Sequence, residues 1–185
     1  TRCLSDWSSD VCSSDLFSEA LLMSLNAVQQ YVKSQLDDLE FPTTFVFPVG
    51  NAIARIQPFQ LDFSIQPLIF IWGSTLPERR LTLGRPYGFK KVMHRIEINV
   101  HYAQEIDDPD ADSKFPVILE TVQAALRTVP LPVTLTDNIT GQVSQVDSIG
   151  DTFDTRYPWV HSLEDQRMLA YATQIIATVE EMFLG

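Results

Sequence analysis

Hydrophobic spacing divides most of the chain into recognisable elements. Leu21, Leu25, Val28, Val32, Leu36 and Leu39 recur at intervals of four, three, four, four and three, which traces one face of an α-helix. Ser18 suits the N-cap, Glu19 the first turn, and Pro42 stops the helix. Asp37, Asp38 and Glu40 gather at its end, the wrong sign for the helix dipole, and are expected to face solvent. Pro67 opens the run Leu68-Ile69-Phe70-Ile71-Trp72, which reads as a short strand buried on both faces. From Val92 to Ala103 the alternation is strict. Val92, His94, Ile96, Ile98, Val100 and Tyr102 lie on one side, and Met93, Arg95, Glu97, Asn99 and His101 on the other. That pattern predicts a strand with one buried and one polar face.

Weaker patterns fill the rest. Val49-Gly50-Asn51 reads as a turn before a short strand of Ile53, Arg55, Gln57 and Phe59. A second helix is expected near 113–128, capped by Asp112 or Ser113, with Pro116 in its first turn. Ile118, Val122, Ala125 and Val129 form its apolar stripe, and Pro130 and Pro132 end it. Val133 to Thr136 and Gln142 to Ile149 read as strands around a turn at Asp137-Asn138 and Gly141. Met168 to Phe183 fits both periods. Leu169, Ala172, Ile176 and Val179 suit a helix; Leu169, Tyr171, Thr173, Ile175, Ala177 and Val179 suit a strand. The density of β-branched residues favours strand, against the helix propensity of Met168, Ala170, Ala172, Glu180 and Glu181. The order helix, strands, helix, strands lacks regular βαβ alternation. It predicts an α+β fold with a largely antiparallel or mixed sheet and two helices packed on one face.

Residues 1–16 show neither period. Ser8-Ser9-Asp10 recurs as Ser13-Ser14-Asp15, and the stretch resembles the in-frame translation of a sequencing adaptor, DVCSSDL. It has neither the apolar core nor the basic start of a secretory leader, so it is read as a foreign, unstructured segment. Residues 17–185 are read as a single α+β domain, with Met23 a plausible native start. Both cysteines, Cys3 and Cys12, fall in the segment set aside, which leaves no disulfide framework, thiol nucleophile or thiolate metal site in the domain. The chain's 185 residues, 45% of them hydrophobic, suffice for one packed core. A net charge of -11 argues against wholesale binding to DNA or anionic lipid. No apolar run approaches the roughly 20 residues that span a bilayer.

Candidate chemistry fares poorly against plainer readings. Asp108, Asp110 and Asp112 have the spacing that opens a calcium loop, but Ser113 stands where that loop needs Gly and Leu119 where it needs Glu. The plainer reading is a solvated linker whose last Asp caps the helix. His94 and His101 are seven apart on one strand, hence on opposite faces, and cannot share a metal. His94 reads as a hydrogen-bonded core histidine. His161 and Ser162 lie near Glu164 and Asp165, yet no nucleophile elbow surrounds them. Gly84-Arg85-Pro86-Tyr87-Gly88 lacks the Lys-Ser/Thr of a phosphate loop, and Asn138-Ile139-Thr140 reads as a turn. No catalytic residue, metal site or cofactor is assigned. One feature stands out in an acidic chain: Arg79, Arg80, Arg85, Lys90 and Lys91 face a single acid, Glu78. The plainer reading is a solvated loop that balances the net acidity; the sharper one, with Tyr87 among them, is a docking surface for an acidic partner.

Taken in order, several stretches resemble the tail-terminator (tail-completion) proteins of long-tailed bacteriophages. They are SLNAVQQYVKSQL, PLIFIW, the basic loop followed by KVMHRIEINVHYA, DDPDADSKF, VILETVQAALRTV, DNITG, QVDSIGD and the closing β-rich stretch, within residues 24–183. The resemblance implies a structural virion protein that caps the tail tube as a hexameric ring and joins it to the head connector. It implies no catalysis, cofactor, membrane or sequence-specific nucleic acid. The implied partners are copies of itself, a tail-tube protein and a head-connector or neck protein. The implied location is the virion tail, and the host cytoplasm during assembly. On this basis Arg79, Arg80, Arg85, Tyr87, Lys90 and Lys91 are expected to meet Asp107, Asp108, Asp110 and Asp112 of a neighbouring copy. The alternatives are a neck or head-completion protein of the same particle, or a small ligand-binding or hydrolytic α+β enzyme.

Overall fold

The computed structural model describes residues 13–46, 48–56, 67–76, 79–80, 89–136, 141, 143–149, 154–155, 159–163 and 168–184. Two helices and nine strands follow one another as α1 (Ser13–Leu36), β1 (Ile53–Arg55), β2 (Leu68–Thr75), β3 (Arg79–Arg80), β4 (Phe89–Glu105), α2 (Ala111–Arg127), β5 (Val133–Thr136), β6 (Val143–Ile149), β7 (Asp154–Thr155), β8 (Trp159–Leu163) and β9 (Met168–Leu184). The main path of the sheet is β1-β2-β4-β9-β6-β5, with β3 on β4 and both β7 and β8 on β9. β1 pairs β2 in parallel and the other pairs are antiparallel, so the sheet is mixed. It curls into a half-barrel rather than lying flat beneath a helical layer. The fold is α+β.

β4 and β9 form the spine, paired through all 17 residues of each. The closing stretch is therefore a strand. Its β-branched residues fit a pleated surface, and pairing along both edges outweighs the helix propensity of its alanines and glutamates. Tyr102, Val100, Ile98, Ile96, His94 and Val92 of β4 are buried, as the alternation predicts, and Thr173, Ile175, Ala177 and Val179 of β9 lie opposite. Of these, Tyr102, Val100, Ile98, Ile96, Ile175, Ala177 and Val179 share one core with Leu25, Val28, Val32 and Leu36 of α1 and Phe115, Ile118, Val122 and Leu126 of α2. Gly73 makes one close approach possible. A Cβ there would stand 2.6 Å from the Leu25 Cδ1 atom and 3.1 Å from that of Ile96, so any side chain at this position would have to push the tip of Leu25 aside.

Several boundaries differ from expectation. α1 begins at Ser13, inside the segment read as unstructured, and not after Ser18; Asp15 suits a first turn. α1 ends at Leu36, where Asp38 takes a left-handed φ of 59° and turns the chain. Asp37 is not left to solvent. Lys33 Nζ lies 2.7 Å from its Oδ2 and the Ala54 N–H donates to its Oδ1 at 3.0 Å. The lysine first, then the backbone donor, lower the Asp37 pKa against the opposing effect of burial. Val49-Gly50-Asn51 is not a turn: Val49 enters the core. β2 is not buried on both faces throughout, since Trp72 is 45% exposed. α2 starts at Ala111 with Asp110 at its N-cap, two residues early, which moves Pro116 into the second turn. In β6 a bulge between Val146 and Ser148 shifts the alternation, so Val146 and Ile149 are both buried.

Candidate functional site

Register assembles the basic surface. β3 lies antiparallel on the start of β4, with Arg79 opposite Lys91 and Arg80 opposite Lys90. Four cationic residues of the basic segment, two from β3 and two from β4, thus meet at one corner of the sheet. Lys91 is already engaged: its Nζ lies 2.5 Å from Glu180 Oε2 of β9. Farther along β4, Arg95 Nη2 lies 3.2 Å from Glu97 Oε1. Arg85 and Tyr87 lie outside the described residues.

The acidic stretch follows the other end of β4. The length of β4, 17 residues, separates it from the basic corner. The chain therefore does not bring its own two surfaces together. Nor are the four carboxylates alike. Asp107 and Asp112 are exposed. Asp108 is almost fully buried: its Oδ2 accepts from Lys114 Nζ and its Oδ1 accepts from the Asp110 N–H at 2.9 Å. Asp110 Oδ2 accepts from the Val46 N–H at 2.8 Å, which ties the 43–46 loop to the start of α2. The ammonium of Lys114, 1% exposed, sits where a calcium-loop reading would put a cation, and Phe45 covers it with its ring centroid at 5.8 Å. Neither Asp112 nor Ser113 caps α2; the Ser113 hydroxyl donates to the Asp110 carbonyl at 3.0 Å.

Lys114 escaped the stripe of Ile118, Val122, Ala125 and Val129, although its spacing announces it. Positions 114, 118 and 122 are four apart, so a lysine there must bury its stem and find an acid. Asp108, six residues earlier, is that acid. The charge also reaches Tyr102: burial first, then Asp108 and Tyr171, push its pKa up to about 12.

His94 is the core histidine that its alternation indicated. It is 0% exposed, with Nδ1 at 3.2 Å from the Thr75 hydroxyl and Nε2 at 2.6 Å from Glu181 Oε2. His101, on the other face, packs edge-on against Phe70 at 5.4 Å between ring centroids, and burial lowers its pKa. His161 and Ser162 are neighbours on β8, paired with Ala170 and Leu169 of β9. Glu164, Asp165 and Asn138-Ile139-Thr140 lie outside the described residues. Among the described residues no three His, Cys, Asp or Glu side chains gather as metal donors, and no helix is long and apolar enough to cross a membrane. No protein-family model matches the chain, and no curated protein matches it in sequence.

Proposed function

We propose that this chain is a structural phage or prophage protein of the tail-terminator type, which caps the tail tube as a ring of copies and joins it to the head connector. The observation that carries this reading is the placement of opposite charge at the two ends of β4. The Arg79–Arg80/Lys90–Lys91 corner lies at one end, and the exposed Asp107 and Asp112 lie beyond the other. A single copy cannot satisfy both; a neighbour placed head to tail can. Such a contact is heterologous, and it closes into a ring when the rotation between neighbours divides a full turn. The acidic surface is best assigned to Asp107 and Asp112, with Asp108 and Asp110 holding the loop that presents them. In this arrangement the strand ends are left to other copies, to the tail-tube protein and to a connector or neck protein. The protein acts by surface fit, without bond chemistry, in the virion tail and in the host cytoplasm during assembly, away from membrane and sequence-specific nucleic acid.

Size-exclusion chromatography with negative-stain microscopy tests this directly. The purified chain is expected to give six-fold rings, alone or on tail tubes. A chain that stays monomeric at high concentration and ignores tubes refutes it. The triple variant Arg79→Glu, Arg80→Glu, Arg85→Glu is expected to lose the rings while keeping a wild-type circular dichroism spectrum. Normal rings from that variant would remove the charge contact from the account.

A further inference from the structure

The side of the sheet turned away from the core carries an arrangement that a charge contact between strand ends does not use. Trp72 and Ser74 of β2 stand opposite Glu97 and Arg95 of β4, and Asn99 of β4 stands opposite Gln174 of β9. Trp72, Gly73, Ser74, Glu97 and Asn99 line a hollow of about 410 Å³. That volume lies at the lower end of the range for small-molecule sites, roughly 300–1,000 Å³. The polar groups are held in place. Gln174 Nε2 donates to Glu97 Oε2 at 3.0 Å and to Asn99 Oδ1 at 3.3 Å, while Arg95 braces the other Glu97 oxygen. With its carbonyl accepting from Gln174, Asn99 has its amide N–H groups left to give. They, the Ser74 hydroxyl and the Trp72 indole N–H take no partner among the described residues.

We propose that this hollow binds a small polyhydroxylated ligand, a sugar ring. The C–H face of the ring lies against the Trp72 indole, and hydroxyls at its edge accept from Asn99 and Ser74 and donate to Glu97. The chemistry of the lining selects this class. An apolar ligand would strip water from Glu97 and Asn99 and return no hydrogen bond. A simple anion meets the Glu97 carboxylate, and a simple cation meets Arg95. A sugar has one apolar face and a rim of groups that both donate and accept, which matches an indole beside a fixed row of planar amide and carboxylate groups. The site goes beyond the ring-forming role and stands whether or not copies assemble.

Titration of the full chain with glucose, galactose, mannose and N-acetylglucosamine, read by saturation-transfer NMR and tryptophan fluorescence, tests it. At least one of the four is expected to give a saturable response. Trp72→Ala should weaken that response by about tenfold or more, because a central aromatic anchor is lost. Asn99→Leu, of similar size but without donors, should weaken it several-fold, and wild-type circular dichroism of both variants keeps misfolding out of the reading. No saturable response to any of the four sugars overturns the proposal, as does a response unchanged in Trp72→Ala. So does a Trp72→Ala variant that loses self-association while the wild type ignores all four sugars, for the hollow would then be a contact between copies.

Discussion

The two ends of β4 carry opposite charge, and near each a buried polar pair is set into the fold by a different route. At the basic end His94 and Glu181 are both fully buried, 2.6 Å apart and 87 residues apart in sequence. They meet only because β4 and β9 pair in one register. At the acidic end Lys114 reaches Asp108 six residues earlier, across the turn that opens α2. One pair joins two strands of the spine; the other pins a local loop and, through Asp110 and Val46, a second loop. The difference matters because a buried charge left alone costs far more than a lost surface contact. The exposed charges at each end therefore stand beside buried anchors.

The strongest way to break this comparison is Lys114→Met. It leaves Asp108 buried without its cation, and urea denaturation should show a loss of about 3–5 kcal/mol. Adding Asp108→Asn should recover most of that loss; no recovery would mean that the pair is not what holds the loop. At the other end His94→Gln keeps a donor towards Glu181, so its cost should be smaller, about 1–3 kcal/mol for imperfect pairing of a buried group. A larger loss there than for Lys114→Met would reverse the ranking of the two ends.

His101 sharpens the comparison through pH. Burial holds its pKa below the ordinary 6.5, so the unfolded chain binds more protons than the folded one as pH falls through that value. Stability should thus decline on acidification from pH 7 towards 5. His101→Phe, which preserves the contact with Phe70, should flatten that slope in thermal melts. An identical slope in the variant would place the acid sensitivity elsewhere. The smallest effect is expected from Lys91→Ala. Its bridge to Glu180 is about 30% exposed at each partner, which limits the cost to about 1 kcal/mol or less, and added salt should shrink it further.

Much of this molecule was legible from spacing. Strict alternation from Val92 to Tyr102 marked the central strand and the burial of His94, and the four-three intervals through Leu36 marked the core face of α1. The closing stretch was legible only through its β-branched residues, because its apolar positions fit both periods until β4 and β8 pair with it. The acidic stretch was misread as uniformly solvated. Nothing in the run Asp107 to Asp112 distinguishes a carboxylate facing water from one facing a lysine; the helix must form before Lys114 turns inward. Glu180 and Glu181 gave still less sign of their roles, since adjacent residues on a strand face opposite sides, and Glu180 meets Lys91 while Glu181 meets His94, both on β4.

The amino-acid order by itself determined the elements, the α+β class, the acidic balance and the two clusters of opposite charge, because these depend on neighbours a few residues apart. Tertiary structure alone decided that Arg79 and Arg80 pair with the start of β4, that Asp108 is spent internally while Asp107 remains exposed, and that Trp72 stands beside a fixed row of polar side chains. Those outcomes depend on strand register and on the curl of the sheet, which bring together residues that no local pattern relates.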